Sequence, residues 1–222
     1  MNRHLDIGGK RVLEIGCGRG DLVRVLASQY ECECTGVDIV NYPEWVSSKQ
    51  KDLQFRRLDV TAEPVDSLGK FDAIVSLVVL EHVAHPFTML KRFKELLAPG
   101  GSVYFSANLY RGPKASHRYR QVNFPWPHLL FSDEVFAAFY RQLRGPDAPA
   151  VKSSWVNKLT FLHYKYYLDE VGFAEQKLWL SKPNFDEDFY VEFSDILERY
   201  PRFDLAHDFV FGVLKNGSDG GS

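Results

Sequence analysis

The sequence predicts an α/β fold in which a mostly parallel sheet carries helices on both faces. A short, mostly apolar run at residues 12–15 is followed by alternate glycines and then by an amphipathic segment at residues 21–30. This succession indicates a strand, a tight turn and a helix. Further short apolar runs alternate with helical patterns along the chain, as in sheets whose parallel strands are joined by crossover helices.

The same patterns predict the remaining elements in chain order. Strands are expected at residues 34–40, 53–58 and 71–77, and the last of these is expected to be buried on both faces because nearly every residue is apolar. A helix at residues 86–97 is closed by a Pro-Gly-Gly turn, and a fifth strand follows at residues 102–107. Later elements are a helix at 161–171, capped by Thr160 and ended by Gly172, a strand at 173–181, a helix at 189–200 and a last strand at 205–214.

The turn after the first strand carries the alternate glycines Gly16, Gly18 and Gly20. Glycines at such positions permit positive φ and leave room for a ligand on the main chain. The spacing is Gly-x-Gly-x-Gly, which differs from the Gly-x-Gly-x-x-Gly of dinucleotide folds, and Asp21 lies where a pyrophosphate would bind. The turn therefore favours a ligand without a phosphate and with a positive centre, for which Glu14 and Asp21 are suitable anions.

One carboxylate follows each of the next two apolar runs. Asp38 lies 18 residues beyond Gly20, where an acid can accept hydrogen bonds from both hydroxyls of a ribose. Asp59 ends the third run and is placed for an adenine amino group, with Val60 beside the ring. The pattern indicates that a nucleoside lies across the first three strands.

These motifs resemble the class I S-adenosylmethionine-dependent methyltransferases, especially the compact type 11 group. The resemblance covers residues 10–107 and rests on Val-Leu-Glu-Ile-Gly-Cys-Gly-Arg-Gly at 12–20, Gly-Val-Asp at 36–38, Leu-Asp-Val at 58–60, Phe-Asp-Ala-Ile-Val at 71–75, Leu-Glu-His-Val at 80–83 and Leu-Leu-Ala-Pro-Gly-Gly at 96–101. It implies a Rossmann-like sheet of seven strands in the order 3-2-1-4-5-7-6, with strand 7 antiparallel. It also implies an enzyme that uses S-adenosyl-L-methionine and releases S-adenosyl-L-homocysteine.

By this resemblance the residues that bind the cofactor are Glu14, Gly16, Cys17, Gly18, Gly20, Asp38, Ile39, Asp59, Val60, Ser76 and Leu77. Glu14 and the first two glycines would line its methionine end, Asp38 its ribose, and Asp59 with Val60 its adenine. Ser76 and Leu77 would form the wall beside the sulfonium.

An insertion at residues 108–157 separates the fifth strand from the next helix and is predicted to cap the acceptor site. Ligands of open α/β sheets bind beyond the carboxyl ends of the strands, and the insertion leaves that end. Residues 110–128 carry basic and aromatic side chains and no acid, which would suit a phosphate or carboxylate on the acceptor. The predicted acceptor contacts are Glu81, Arg118, Arg120 and Trp126. The alternative is that the aromatic residues fill the core and the basic ones form a solvated face.

Histidines are candidate general bases if the acceptor is a hydroxyl, where a base contributes about 10²–10⁴-fold. The predicted catalytic candidates are His82, just past the fourth strand, and His117 and His128 from the insertion. If none of them acts, positioning of the two reactants alone remains as the mechanism. No metal is predicted, because the acids that hold magnesium in a related quinone-biosynthesis group are incomplete here.

Length and charge agree with one domain at residues 1–215, followed by a disordered tail at 216–222. The net charge of −2 argues against a nucleic-acid binder, and neither a membrane-spanning run nor a secretory pattern occurs, so a cytoplasmic location is expected.

We expect methyl transfer to a small molecule, at a hydroxyl of a sugar, nucleotide-sugar, glycan or related metabolite. The alternatives are a methyltransferase acting on RNA or protein, and a non-catalytic cofactor-binding subunit. The oligomeric state stays open.

Overall fold

The computed structural model describes residue 5 and residues 7–46, 51–115, 122–145 and 156–217. Within these residues the strands are β1 (Arg11–Ile15), β2 (Glu33–Asp38), β3 (Leu53–Arg57), β4 (Phe71–Leu77), β5 (Leu97–Asn108), β6 (Glu175–Leu180) and β7 (Phe209–Lys215). The helices are α1 (Asp21–Gln29), α2 (Pro86–Leu96), α3 (Pro127–Leu130), α4 (Asp133–Arg144), α5 (Phe161–Val171), α6 (Glu187–Glu192), α7 (Ser194–Leu197) and α8 (Arg202–Ala206).

The seven strands form one sheet in the order β3-β2-β1-β4-β5-β7-β6. The strands from β3 to β5 pair in parallel, and β7 runs antiparallel to both β5 and β6. The predicted fold class and strand order are therefore confirmed. The chain moves outward from β1 in one direction and then from β4 in the other, and such a reversal leaves a crevice at the carboxyl ends of the strands.

Alternate residues of the central strands face two different apolar layers. In β4, Ile74 packs in the cluster that contains Leu90 of α2, whereas Val75 packs in the cluster that contains Leu26 of α1. Helices on both faces leave little room for polar side chains in these strands. This explains the nearly continuous apolar runs in the sequence.

Three predicted elements differ from the observed ones. The strand predicted at 102–107 begins at Leu97, which pairs with Phe71 before the register shifts. The helix predicted at 189–200 is interrupted at Phe193 (φ −112°) and forms α6 and α7. The strand predicted from residue 205 begins only at Phe209, because Leu205 belongs to α8 and is buried in a separate aromatic cluster.

The described parts of the insertion contain two helices, α3 and α4, that were not predicted. Ser132 caps α4 by accepting a hydrogen bond from the Val135 amide at 3.4 Å. Of the predicted disordered tail, Asn216 donates its amide to the carbonyl of Gly101 at 2.9 Å, and residues 218–222 lie outside the described part of the chain. The domain bounds stay a prediction. No helix in the described ranges is both long and apolar enough to cross a bilayer.

Candidate active site

A cavity of about 680 Å³ opens at the carboxyl ends of β1, β2 and β4 and beside the loop after β3. The predicted site residues that line it are Gly16, Gly18, Asp38, Ile39, Asp59, Val60, Leu77 and His82. Tyr42, which was not among the predicted site residues, lines it as well, and so does His85. Residues from four separate chain segments therefore meet in one space.

The three glycines of the turn after β1 all have positive φ, but they serve different purposes. A Cβ on Gly16 would collide with Val79, and a Cβ on Gly20 would collide with the ring of Phe55. A Cβ on Gly18 (φ +53°) would meet no atom within 4 Å, and this residue lines the cavity. Gly16 and Gly20 thus permit close packing, whereas Gly18 leaves room for a ligand.

The Asp38 carboxylate is fixed at the end of β2 by two backbone amides. Its Oδ2 accepts a hydrogen bond from Gly18 at 2.9 Å, and its Oδ1 accepts one from Val40 at 3.0 Å. A carboxylate oxygen can accept more than one hydrogen bond, so both atoms can still accept a hydroxyl. Asp59 is held in a similar way, since its Oδ1 accepts hydrogen bonds from the amide and the hydroxyl of Thr61.

Glu14 lies near the end of β1 and is 6% exposed. Its Oε2 is buried and accepts no hydrogen bond from any described residue. Burial raises the pKa of Glu14 from 4.5 to about 8, against a lowering effect of the Val23 amide, and the nearby charges of Asp21 and Asp38 raise it further. Glu14 is not among the described residues that line the cavity.

Three other residues predicted to bind the cofactor, Cys17, Gly20 and Ser76, are not part of the described cavity lining. Cys17 is buried, and a Cβ on Gly36 would approach its Sγ to 2.9 Å, so the side chain packs against Gly36 of β2. Burial raises the pKa of Cys17 to about 12, which keeps it a neutral thiol. Ser76 is fully buried in β4, and Gly20 contacts Phe55.

The opposite wall of the cavity follows β4 and is mainly apolar. Val78 adopts φ +57°, a strained conformation for a β-branched residue, and its amide donates to the Ser106 carbonyl at 2.9 Å. The turn at Leu80–His82 then presents the exposed imidazole of His82, and His85 follows at the start of α2. No lysine or arginine is among the described lining residues.

Glu81 points away from this wall, in contrast to its neighbour His82. Its side chain is 2% exposed and neither carboxylate oxygen bonds to a described residue. Burial raises the pKa of Glu81, and the adjacent His82 acts in the lowering direction. The predicted contact of Glu81 with the acceptor is wrong for this structure, because the side chain is buried behind the wall.

The predicted contact of Trp126 with the acceptor is not observed either, because Trp126 is fully buried in the core of the insertion. Its indole N–H donates to the carbonyl of Leu205 at 2.9 Å, and its ring packs edge-on against Phe185 at 5.2 Å. The alternative that the aromatic residues of the insertion fill the core applies here. His128 is likewise occupied away from the cavity lining, with Nε2 at 2.5 Å from the Tyr110 carbonyl.

His117, Arg118 and Arg120 lie outside the described residues. No residue from the described parts of the insertion lines the cavity, so its role as a cap stays a prediction. Among the residues that the structure describes, no three histidines, cysteines or acids form a metal-binding group. The absence of a metal also stays a prediction.

Comparisons of the sequence with known proteins point to methyltransferases. A family model described as a methyltransferase domain matches residues 3–144. The ubiquinone biosynthesis O-methyltransferase of Nitrosococcus oceani is 33% identical over 120 residues, which are 52% of this chain and 50% of that protein. Its counterpart from Stutzerimonas stutzeri is 32% identical over 120 residues, 52% of this chain and 51% of that protein. The match thus spans about half the length of these curated relatives.

Solved structures share the fold over nearly the whole chain. An S-adenosylmethionine-dependent methyltransferase from Mesorhizobium loti aligns with a TM-score of 0.63 and 18% identity, covering 97% of this chain and 95% of that one. Phosphoethanolamine N-methyltransferase 2 from Haemonchus contortus aligns with a TM-score of 0.61 and 17% identity, covering 98% of this chain and 51% of that one. Since the family model matches more than half of its residues, the chain belongs to the methyltransferase-domain family.

Proposed function

We propose that the chain transfers a methyl group from S-adenosylmethionine to a hydroxyl of a small molecule. One observation carries this proposal: the same cavity contains Gly18, Asp38 and Asp59 on one side and His82 on the other. The first group suits a nucleoside, and the second offers a base beyond it. Membership of the methyltransferase-domain family supports the same reaction class.

The residues present fit the proposed cofactor. Asp38 would hold the ribose hydroxyls, and Asp59 with the apolar Ile39 and Val60 would hold the adenine. The buried Oε2 of Glu14, which has no hydrogen-bond donor among the described residues, offers a hydrogen-bond acceptor for an ammonium group at the glycine turn. Bound there, the cofactor would supply an activated methyl on a sulfonium.

The chain's own contribution would be positioning and proton removal. Holding two reactants in line can supply about 7–11 kcal/mol of the barrier. The apolar wall formed by Leu77, Val79 and Val83 would exclude water from the reacting atoms. His82, exposed at the end of this wall, would accept the proton of the acceptor hydroxyl.

The class of acceptor is the finer part of the proposal. The sequence favours a sugar or nucleotide-sugar hydroxyl, whereas the named relatives are O-methyltransferases of ubiquinone biosynthesis. The described lining contains no cation to pair with a phosphate, which favours an uncharged acceptor in this part of the cavity. No observation in the described residues favours RNA, a protein acceptor or a purely structural role.

A screen with methyl-labelled S-adenosylmethionine tests the proposal. One panel contains sugars and nucleotide-sugars, and a second contains uncharged aromatic hydroxyl compounds, with amine analogues of each as controls. We expect label in a hydroxyl compound and little in its amine analogue. Transfer to amines alone, or binding of the cofactor without transfer to any small molecule, would contradict O-methylation.

The role of His82 is tested by His82→Ala. If His82 is the general base, turnover falls by about 10²–10⁴-fold while the affinity for S-adenosylhomocysteine stays within twofold. His207→Ala is a matched control, since its ring bonds to the Phe203 carbonyl away from the cavity lining. Normal turnover in His82→Ala would leave positioning alone as the mechanism.

A further inference from the structure

Gly18 is held on both sides by the chain segment that contains and follows the end of β2. Its amide donates to Asp38 Oδ2 at 2.9 Å. Its carbonyl accepts a hydrogen bond from the indole Nε1 of Trp45, also at 2.9 Å. The two bonds involve the two different peptide groups that flank the Gly18 Cα, so together they restrain both of its dihedral angles.

The Trp45 side chain is itself held in position by packing. Its ring is stacked on Phe55 of β3, with centroids 5.3 Å apart and planes inclined by 8°. The Arg24 guanidinium lies 5.1 Å from the centroid of the same Phe55 ring and donates to the carbonyls of Arg19 and Glu44 at 2.6 Å each. The glycine turn, α1 and the segment before Trp45 are therefore tied to each other outside the cavity.

The two hydrogen bonds to Gly18 matter because glycine has little conformational preference of its own. Glycine populates positive and negative φ about equally, so a turn of alternate glycines does not hold one shape by itself. Gly18 has φ +53°, lines the cavity and has no atom within 4 Å of its would-be Cβ. Packing against its own Cα therefore contributes little, and hydrogen bonds to its peptides must hold its conformation.

We propose that Trp45 is a positioning residue for the cofactor: by binding the Gly18 carbonyl, its indole N–H keeps the glycine turn in the shape that receives the ligand. The inference rests on the proposed function, because it assigns the glycine turn to S-adenosylmethionine. Trp45 does not line the cavity and acts only through Gly18. Its replacement should weaken binding of the cofactor without changing the chemistry of the bound state.

The test compares Trp45→Phe with wild type by calorimetric titration of S-adenosylhomocysteine. Phenylalanine keeps an aromatic ring against Phe55 and removes the N–H donor. We expect affinity to fall about tenfold, which corresponds to about 1.4 kcal/mol. Amide hydrogen exchange in the peptide spanning residues 12–24 should be faster than in wild type before ligand is added. In assays, KM for S-adenosylmethionine should rise with kcat retained.

Trp179→Phe is the matched control, because Trp179 on the edge strand β6 is stacked on Phe211 at 5.8 Å and 13°. It should bind S-adenosylhomocysteine within twofold of wild type. Trp45→His keeps a ring and an N–H donor and should recover part of the lost affinity. If circular dichroism shows the Phe variant to be unfolded, Trp45→Leu, which also has no N–H donor, takes its place with the same expected loss and the same contradicting result.

Affinity within twofold of wild type in Trp45→Phe would overturn the proposal, and so would equal losses in Trp45→Phe and Trp45→His. If the folded wild type does not bind S-adenosylhomocysteine at all, the proposed function fails instead. Wild-type binding with an unaffected Trp45→Phe variant rejects only the role of Trp45. The two failures are therefore distinguishable.

Discussion

Burial determines the chemistry of individual residues at this site, and Glu14 is the strongest case. Its folded pKa of about 8 lies above the ordinary 4.5 because its carboxyl has lost its water. Between these two values the folded protein binds a proton that the unfolded chain releases. The free energy of unfolding must therefore decrease as the pH rises through this window, and no further decrease comes from Glu14 above it.

Glu14→Gln removes this titration. We predict that the variant gains stability relative to wild type between pH 5 and pH 8, by an amount on the order of 2–4 kcal/mol. Urea denaturation at unit pH intervals measures the difference. Glu33→Gln, at an exposed position that starts β2, is the control and should follow the wild-type curve. A Glu14→Gln curve parallel to wild type would contradict the raised pKa.

The positions of single residues were predicted well where the strand register determines them. Asp38 is the last residue of β2 and Asp59 lies two residues beyond β3, and both line the cavity at these strand ends. Glu81 and Trp126 could not be predicted in the same way. Whether a residue next to His82 faces the cavity or the core depends on a single short turn. A tryptophan in an insertion has no periodic pattern that distinguishes a ligand contact from a core position.

At the level of secondary-structure elements, the glycine turn makes the clearest prediction. Gly16→Ala combines a positive φ with a collision against Val79, so we expect a stability loss of about 3 kcal/mol. Gly18→Ala has only the backbone strain, about 1–2 kcal/mol, but places a methyl at the cavity and should weaken S-adenosylhomocysteine binding at least tenfold. Thermal denaturation and calorimetry measure the two effects.

Gly9→Ala provides the control for Gly18→Ala. Gly9 also has positive φ (+66°) and no atom within 4 Å of its would-be Cβ, and it lies outside the described cavity lining. It should show a similar stability loss with unchanged binding. Equal affinity in the Gly9 and Gly18 variants would show that Gly18 does not face the ligand.

The insertion core makes a second prediction at this level. Trp126→Phe removes the bond to the Leu205 carbonyl and part of the packing against Phe185, so stability should fall by about 1–3 kcal/mol. Affinity for S-adenosylhomocysteine should stay within twofold, because Trp126 is fully buried and is not among the residues that line the cavity. If the variant had normal stability but impaired binding, Trp126 would be part of the ligand-binding site after all.

Elements were predictable where local pattern and tertiary environment agree. β1 and β4 have the expected places because their apolar runs are nearly continuous, and α5 has its expected place because Thr160 and Gly172 mark its two ends. α8 and the late start of β7 depend on long-range contacts, such as the bond from Trp126 to Leu205, that no local pattern contains. The insertion helix α3 is only four residues long and has no period to recognise, whereas α4 has an amphipathic pattern and a Ser132 cap that could have predicted it.

For the whole molecule, strand order and family follow from a few ordered motifs in the first half of the chain. The acceptor does not, because the fold hosts many substrates and the relevant loops carry little periodicity. The cytoplasmic location and the oligomeric state stay open for the same reason. The central claim about the molecule is that the cavity across β1, β2 and β3 binds the adenosyl group of the cofactor.

Calorimetric titration of the wild type with S-adenosylhomocysteine, compared with NADH, tests this claim most directly. We predict one molecule of S-adenosylhomocysteine bound per chain and no binding of NADH. Asp38→Asn should weaken the binding at least tenfold, whereas Asp72→Asn, whose carboxylate also accepts a backbone amide but at the start of β4, should leave it unchanged. Tight binding of NADH with no binding of S-adenosylhomocysteine would contradict the account.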